Sequence, residues 1–168
     1  KLISEMECKL YSELYGIDTV TLRYFNVYSK CQRADGPYAT AVANWMQFIR
    51  DDKRPFITGD GTQSRDMANL EDVVSANVFA MNYKGNFDGC YFDVGTGDNI
   101  SLNEMREIVK KHIPSVIFDY VEERKGDVHT TKADISALLK LGWSPKVKIR
   151  DGINECFINL KKELNNGL

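Results

Sequence analysis

Ile3, Met6, Leu10 and Leu14 recur at the three-to-four spacing of one helix face, and Gly16 stands where a left-handed cap closes a helix. No Ser, Thr, Asp or Asn precedes Lys1 to cap that helix and there is no initiator Met, so the expectation is a helix that begins upstream and a chain that is a fragment. The β-branched and aromatic run TVTLRYFNVY, residues 19–28, predicts a strand buried on at least one face. A polar loop, SKCQRADGP, leads to a second helix with Pro37 in its first turn and Tyr38, Ala41, Val42, Trp45 and Ile49 on one face.

The stretch RPFITGDGTQSRDMA reads as two short strands joined by a turn at Gly59, Asp60 and Gly61. Asn69 is placed to cap a third helix with the apolar stripe Leu70, Val73, Val74, Val78 and Met81. The strand CYFDV, residues 90–94, runs into a Gly95-Thr96-Gly97 turn, and the spacing of Ser101 and Glu104 makes a capping box for a fourth helix that ends before Pro114. VIFDY, residues 116–120, predicts another strand. After the polar EERKGDVHTTK, Asp134 is placed to cap a short helix ending near Gly142, and a last helix offers Ile153, Cys156, Phe157, Leu160 and Leu164 to a core. Helix and strand alternate throughout, which is the rhythm of an α/β sheet.

Composition narrows this picture. The 168 residues are 43% hydrophobic and 27% charged, enough for one ordinary domain or two small lobes. A formal charge of -2 without a basic cluster argues against a nucleic-acid partner, and Lys110, Lys111 and His112 close a helix whose dipole they suit. The four cysteines form no CxxC pair and the two histidines are far apart, so neither a zinc site nor a disulfide framework is expected. A reducing compartment, the cytoplasm, is the default expectation, with no membrane partner, because no apolar stretch reaches membrane-spanning length.

Four motifs could carry chemistry. DVGTGDNI imitates a dinucleotide fingerprint, but Ile100 occupies the place of the third glycine, and a tight strand-to-helix turn explains the two that remain. Tyr24, Phe25 and Asn26 end a strand at the edge where open α/β sheets bind ligands; core packing for the aromatics and a turn for Asn26 stand as the alternative. Arg65 and Arg124 could together match the two charges of a diphosphate, aided by the helix start after Pro37, or each could pair with a neighbouring acid such as Asp66 or Asp127. Trp45 suits the core and could border a pocket. No carboxylate pair stands out for acid–base work, and no serine has the elbow context of a hydrolase nucleophile.

Taken in order, KLISEMECKLYSELYG, LRYFNVY, ADGPYATAV, GDGTQSRDM with NLEDVV, YFDVGTG with SLNE, and RKGDVHTTKADIS resemble the C-terminal half of the NAD-dependent epimerase/dehydratase family, the extended short-chain dehydrogenases of nucleotide sugars. Within the family the chain is most similar to UDP-hexose 4-epimerases, including the branch acting on N-acetylated sugars. The resemblance implies the C-terminal part of a Rossmann-type doubly wound sheet, residues 1–28 and 70–96, with a smaller α/β substrate-binding lobe, residues 29–69 and 97–168. It implies that Lys1 is the lysine of a YxxxK motif whose tyrosine lies outside the chain, so that the chain alone is inactive. Lys1, Tyr24 and Phe25 would meet NAD.

Asn26 would contact the nucleotide sugar near its phosphates; Tyr38, Ala39, Thr40 and Trp45 would line its cleft. Phe56 and Thr58 would hold the uracil, Arg65 and Arg124 would clamp the diphosphate, and Asp127 would bond a ribose hydroxyl. The full protein would be a homodimer that epimerises a UDP-sugar at C4. A dehydratase, or a non-catalytic nucleotide-sugar binding module, is the alternative. Ser29, where the family usually has glycine, and the following Lys30, Cys31 and Gln32 depart from the pattern and leave the sugar open.

Overall fold

The computed structural model describes residues 1–36 and 38–166. Its elements are α1 (Leu2–Tyr15), β1 (Thr21–Tyr24), β2 (Asn26–Tyr28), α2 (Ala41–Arg50), β3 (Phe56–Thr58), β4 (Ser64–Arg65), β5 (Met67–Asn69), α3 (Leu70–Asn82), β6 (Tyr91–Val94), β7 (Ile100–Ser101), α4 (Leu102–His112), β8 (Asp119–Val121), α5 (Ser136–Leu141) and α6 (Ile149–Asn165). The pairs β1–β6, β2–β5 and β3–β8 are parallel and β4–β7 is antiparallel. Parallel partners need crossovers, which α2, α3 and α4 help to supply, so the α/β reading holds.

The run 19–28 is two strands. Phe25 N still donates to Val94 O at 3.0 Å, extending the β1–β6 ladder, and from Asn26 onward the chain pairs with β5 instead. The chain thus changes neighbours within one residue, a tertiary choice that composition does not encode. The expected hairpin in 54–68 is also absent: β3 pairs with β8 and β4 with β7. The glycine loop is claimed by the first turn of α4, where Asn103 N donates to Gly61 O at 3.0 Å and Asn103 Nδ2 to Asp60 O at 2.9 Å.

Helix α2 starts at Ala41, capped by the Thr40 hydroxyl, which accepts from Ala43 N. Tyr38 precedes the helix and is 86% exposed, against the expected place on its apolar face; Pro37 lies outside the described residues. Threonine provides the cap that a proline lacks. Helix α3 is capped by Asn69 as expected, but it buries Asp72, Val73 and Ala76, while Leu70, Val74, Val78 and Met81 are exposed. Strand β8 begins at Asp119 because Val116 and Phe118 turn to pack against the core. Asp134 stands one residue before the cap of α5, where its carboxylate accepts from Ser136 N at 3.0 Å. In α6, Leu164 is exposed; the other four expected residues are buried.

Two apolar clusters hold these pieces. The larger joins α2, α4 and α6 through Trp45, Met46, Met105, Ile153, Phe157 and Leu160; the smaller joins β6, α3 and α5 through Val94, Val73, Ala76, Leu138 and Trp143. Burial of such side chains contributes roughly 1.5–3 kcal/mol each. Helix α1 buries none of its residues and is held to β1 by the Arg23–Glu5 ion pair. Among the described residues no helix is long and apolar enough to cross a membrane.

Candidate functional site

A cleft of about 210 Å³ opens beside the larger cluster. Asn26, Ala39, Thr40, Thr58, Arg65, Arg124 and Asp127 line it, all of them residues that the sequence had singled out. They come from five separate stretches of chain. Asn26 begins β2, Thr40 caps α2, Thr58 ends β3, Arg65 ends β4, and Arg124 and Asp127 lie in the loop after β8. An adjoining cavity of about 140 Å³ is bordered by Trp45 and Phe56 and shares Ala39, Thr58 and Arg124 with the cleft.

The floor is apolar, made of Met67, Ile100, Leu102 and Met105. The rim is charged. Arg65 Nη2 donates to Asp127 Oδ1 at 2.6 Å, and Arg65 Nη1 donates to Ser64 O at 2.9 Å and His129 O at 3.2 Å. Carbonyl and carboxylate contacts together fix the guanidinium plane at the cleft, and the remaining N–H donors suit an anion. Trp45 is buried, its indole N–H donates to Phe56 O at 2.9 Å, and it packs against Phe118 while bordering the smaller cavity.

Four of the singled-out residues lie apart from this cleft. Lys1 is exposed at the start of α1 and Tyr38 is exposed ahead of α2. Phe25 is half-buried between β1 and β2. Tyr24 faces a different groove, with Leu22, Asn77 and Met81, and its hydroxyl donates to Asn77 Oδ1 at 2.9 Å.

Sequence reasoning missed Gln63 and Asp66. Gln63 is 8% exposed, lines the cleft, and donates from Nε2 to Thr58 O at 2.7 Å and Thr58 Oγ1 at 2.8 Å. Asp66 is fully buried, and its carboxylate accepts from Thr96 N, Thr96 Oγ1, Gly97 N and Ala133 N at 2.8–3.1 Å. The Gly95-Thr96-Gly97 turn therefore spends its Thr96 and Gly97 amides on the protein's own carboxylate. A Cβ on Gly95 would stand 2.5 Å from Ala133 Cβ and 2.8 Å from Asp66 Oδ2, so the turn is packed shut as well as satisfied. It is a structural turn, as the missing third glycine implies.

Solved structures share this fold over nearly the whole chain. The chain resembles the UDP-glucose 4-epimerase of Thermotoga maritima, solved with UDP-glucose, at 32% identity and a TM-score of 0.86, covering 98% of this chain and 52% of that one. It resembles the UDP-N-acetylglucosamine 4-epimerase of Methanobrevibacter ruminantium, solved with UDP-N-acetylmuramic acid, at 32% identity and a TM-score of 0.82, covering 98% and 51%. The UDP-glucuronic acid 4-epimerase of Bacillus cereus, solved with UDP-glucuronic acid and NAD, matches at 31% identity and a TM-score of 0.83, covering 98% and 51%. The chain spans about half the length of the curated relatives it matches. The fold is thus part of the Rossmann-type architecture expected from the sequence. A sequence model of the NAD dependent epimerase/dehydratase family matches residues 1–95, and this chain belongs to that family.

Proposed function

We propose that this chain is the nucleotide-sugar half of an NAD-dependent 4-epimerase that interconverts UDP-hexoses or UDP-N-acetylhexosamines through a 4-keto sugar. The observation that carries the reading is the single cleft in which Asn26, Thr40, Thr58, Arg65, Arg124 and Asp127 meet. Arg65 and Arg124 bind the diphosphate, Thr58 and Phe56 hold the uracil, Asp127 accepts from a ribose hydroxyl, and Ala39, Thr40 and Trp45 border the sugar-nucleotide. Tyr38, exposed ahead of α2 and next to Ala39, is assigned to the same binding surface. Fixing the substrate by its diphosphate leaves the hexose ring oriented for reaction and still able to turn over.

The residues we assign to the nicotinamide end of NAD are Phe25, half-buried and next in sequence to the cleft residue Asn26, and the exposed Lys1. Lys1 would hold the nicotinamide ribose and depress the pKa of a tyrosine base supplied by the rest of the protein, and Phe25 would border the ring, whereas Tyr24 turns to Asn77 in the other groove. When bound, NAD supplies reversible hydride acceptance. The chain alone is inactive in this reading, because its own residues bind and orient but provide no base. We assign residues 1–28 and 70–96 to the nucleotide-fold lobe and the rest to the substrate lobe, with α5 leaning on the former through Leu138 and Trp143. The apolar face of α1, with Ile3 71% and Leu14 63% exposed, serves a homodimer of the whole protein in the cytoplasm.

The test is calorimetry of the chain with UDP, then an epimerase assay with UDP-glucose and NAD before and after adding the half that precedes Lys1. UDP binding by the chain, with turnover only in the longer protein, is the expected result. Absence of UDP binding at millimolar concentration overturns the reading.

A further inference from the structure

One buried carboxylate lies behind the cleft and joins three of its parts. Successive residues of an extended chain point to opposite sides, so Arg65 faces the cleft while Asp66 points into the protein. There the Asp66 carboxylate fills a nest of amide groups from Thr96, Gly97 and Ala133. The backbone of the same residue is occupied on both sides: Asp66 N donates to Thr131 O at 3.0 Å, and Asp66 O accepts from Asn26 Nδ2 at 3.3 Å. Thr131 in turn donates from its backbone to Ser64 O at 3.1 Å, next to Arg65. The C-terminal end of the 124–131 loop is thereby tied to the strand that carries Arg65.

We infer that Asp66 is a positioning residue for the anion end of the cleft, holding Asn26 and Arg65 in register with the Arg124–Asp127 loop through the turn at Gly95, Thr96 and Gly97. The inference rests on the proposed nucleotide-sugar role of the cleft for its ligand but not for its geometry. A buried carboxylate with four donors is costly to replace, since an amide in its place turns one acceptor into a donor that faces other donors. Asp66→Asn therefore moves the nest, and with it the carbonyl that holds the Asn26 side chain.

The experiment compares wild type and Asp66→Asn by UDP calorimetry and by NMR of the Asn26 side-chain amide and the Arg65 Nε–H, with circular dichroism to follow folding. A positioning role raises the UDP dissociation constant by about tenfold or more at unchanged stoichiometry and shifts both resonances. A merely structural role lowers the stoichiometry at an unchanged constant, because fewer molecules are folded and those that fold bind normally; that result overturns the inference. Thr96→Val, which removes one hydroxyl donor and leaves residues 65 and 66 intact, keeps the comparison readable if Asp66→Asn fails to fold: it shifts the same resonances by a smaller amount, and unshifted resonances refute the role. If wild type binds no UDP, the proposed function fails, while the two resonances still decide the role of Asp66.

Discussion

Arg65 and Asp127 meet at 2.6 Å beside the cleft, with side chains 23% and 29% exposed. The pair is too solvated to be a stability device. Its consequence is for binding: Asp127 orients a guanidinium that would otherwise sample many rotamers. Arg65→Ala is expected to weaken UDP binding by roughly 1.5–3 kcal/mol, the worth of hydrogen bonds to a charged group. Asp127→Asn keeps an acceptor near Arg65 and is expected to cost less. Isothermal titration of both variants decides it, and equal losses would place the diphosphate elsewhere.

Gly152 lies against Tyr28. A Cβ at this position would stand 2.0 Å from Tyr28 Oη and 2.7 Å from Val147 Cγ1, and the Tyr28 ring is 1% exposed and cannot swing away. Gly152→Ala is expected to destabilise the fold by about 1–3 kcal/mol through overpacking. Tyr28→Phe removes the obstructing oxygen, so the double variant should recover part of the loss. Urea midpoints of the four proteins test this, and strict additivity would rule out the steric cause.

The sequence made some of this legible and hid the rest for physical reasons. Capping chemistry is local, so Gly16, Asn69 and the Ser101–Glu104 box were readable from neighbours a few residues away. Strand partners are not local: β3 and β4 sit close in sequence yet pair with β8 and β7. The cleft residues were singled out from ordered motifs of a known family, and Thr58, Arg65 and Arg124 line one cleft. Asp66 and Asp72 were not, because an acid in a polar stretch looks solvated until the amides it accepts are placed. Asp72 takes Lys146 N and Val147 N, which lie 74 and 75 residues away.

Cysteine reactivity should sort by environment. Cys31 and Cys90 are exposed, whereas Cys156 is 3% exposed and burial pushes its thiol up to about 12. The thiolate is the reactive species, so iodoacetamide near pH 8 is expected to label Cys31 and Cys90 quickly and Cys156 only after unfolding. Peptide mass spectrometry over time reads the order directly. Early labelling of Cys156 would mean that α6 is not packed as described.

Acid should loosen the start of α4. Glu104 accepts from Ser101 N and Ser101 Oγ, both at 2.9 Å, and from Arg150 Nη2 at 2.7 Å, and these contacts hold its carboxyl below the ordinary value of 4.5, the Ser101 amide foremost. A depressed pKa means that the contribution is fully present above 4.5 and is lost as pH falls through the lower folded value. Amide exchange in the first turn of α4 is therefore expected to accelerate, relative to its intrinsic rate, as pH falls below 4.5 through the folded value. Glu104→Gln retains an acceptor for the cap without the charge, so its exchange should lack this acid step while Arg150 keeps its bonds to Asp98 and Asn99 O. If wild type and Glu104→Gln show the same acid step, another carboxylate is responsible for it.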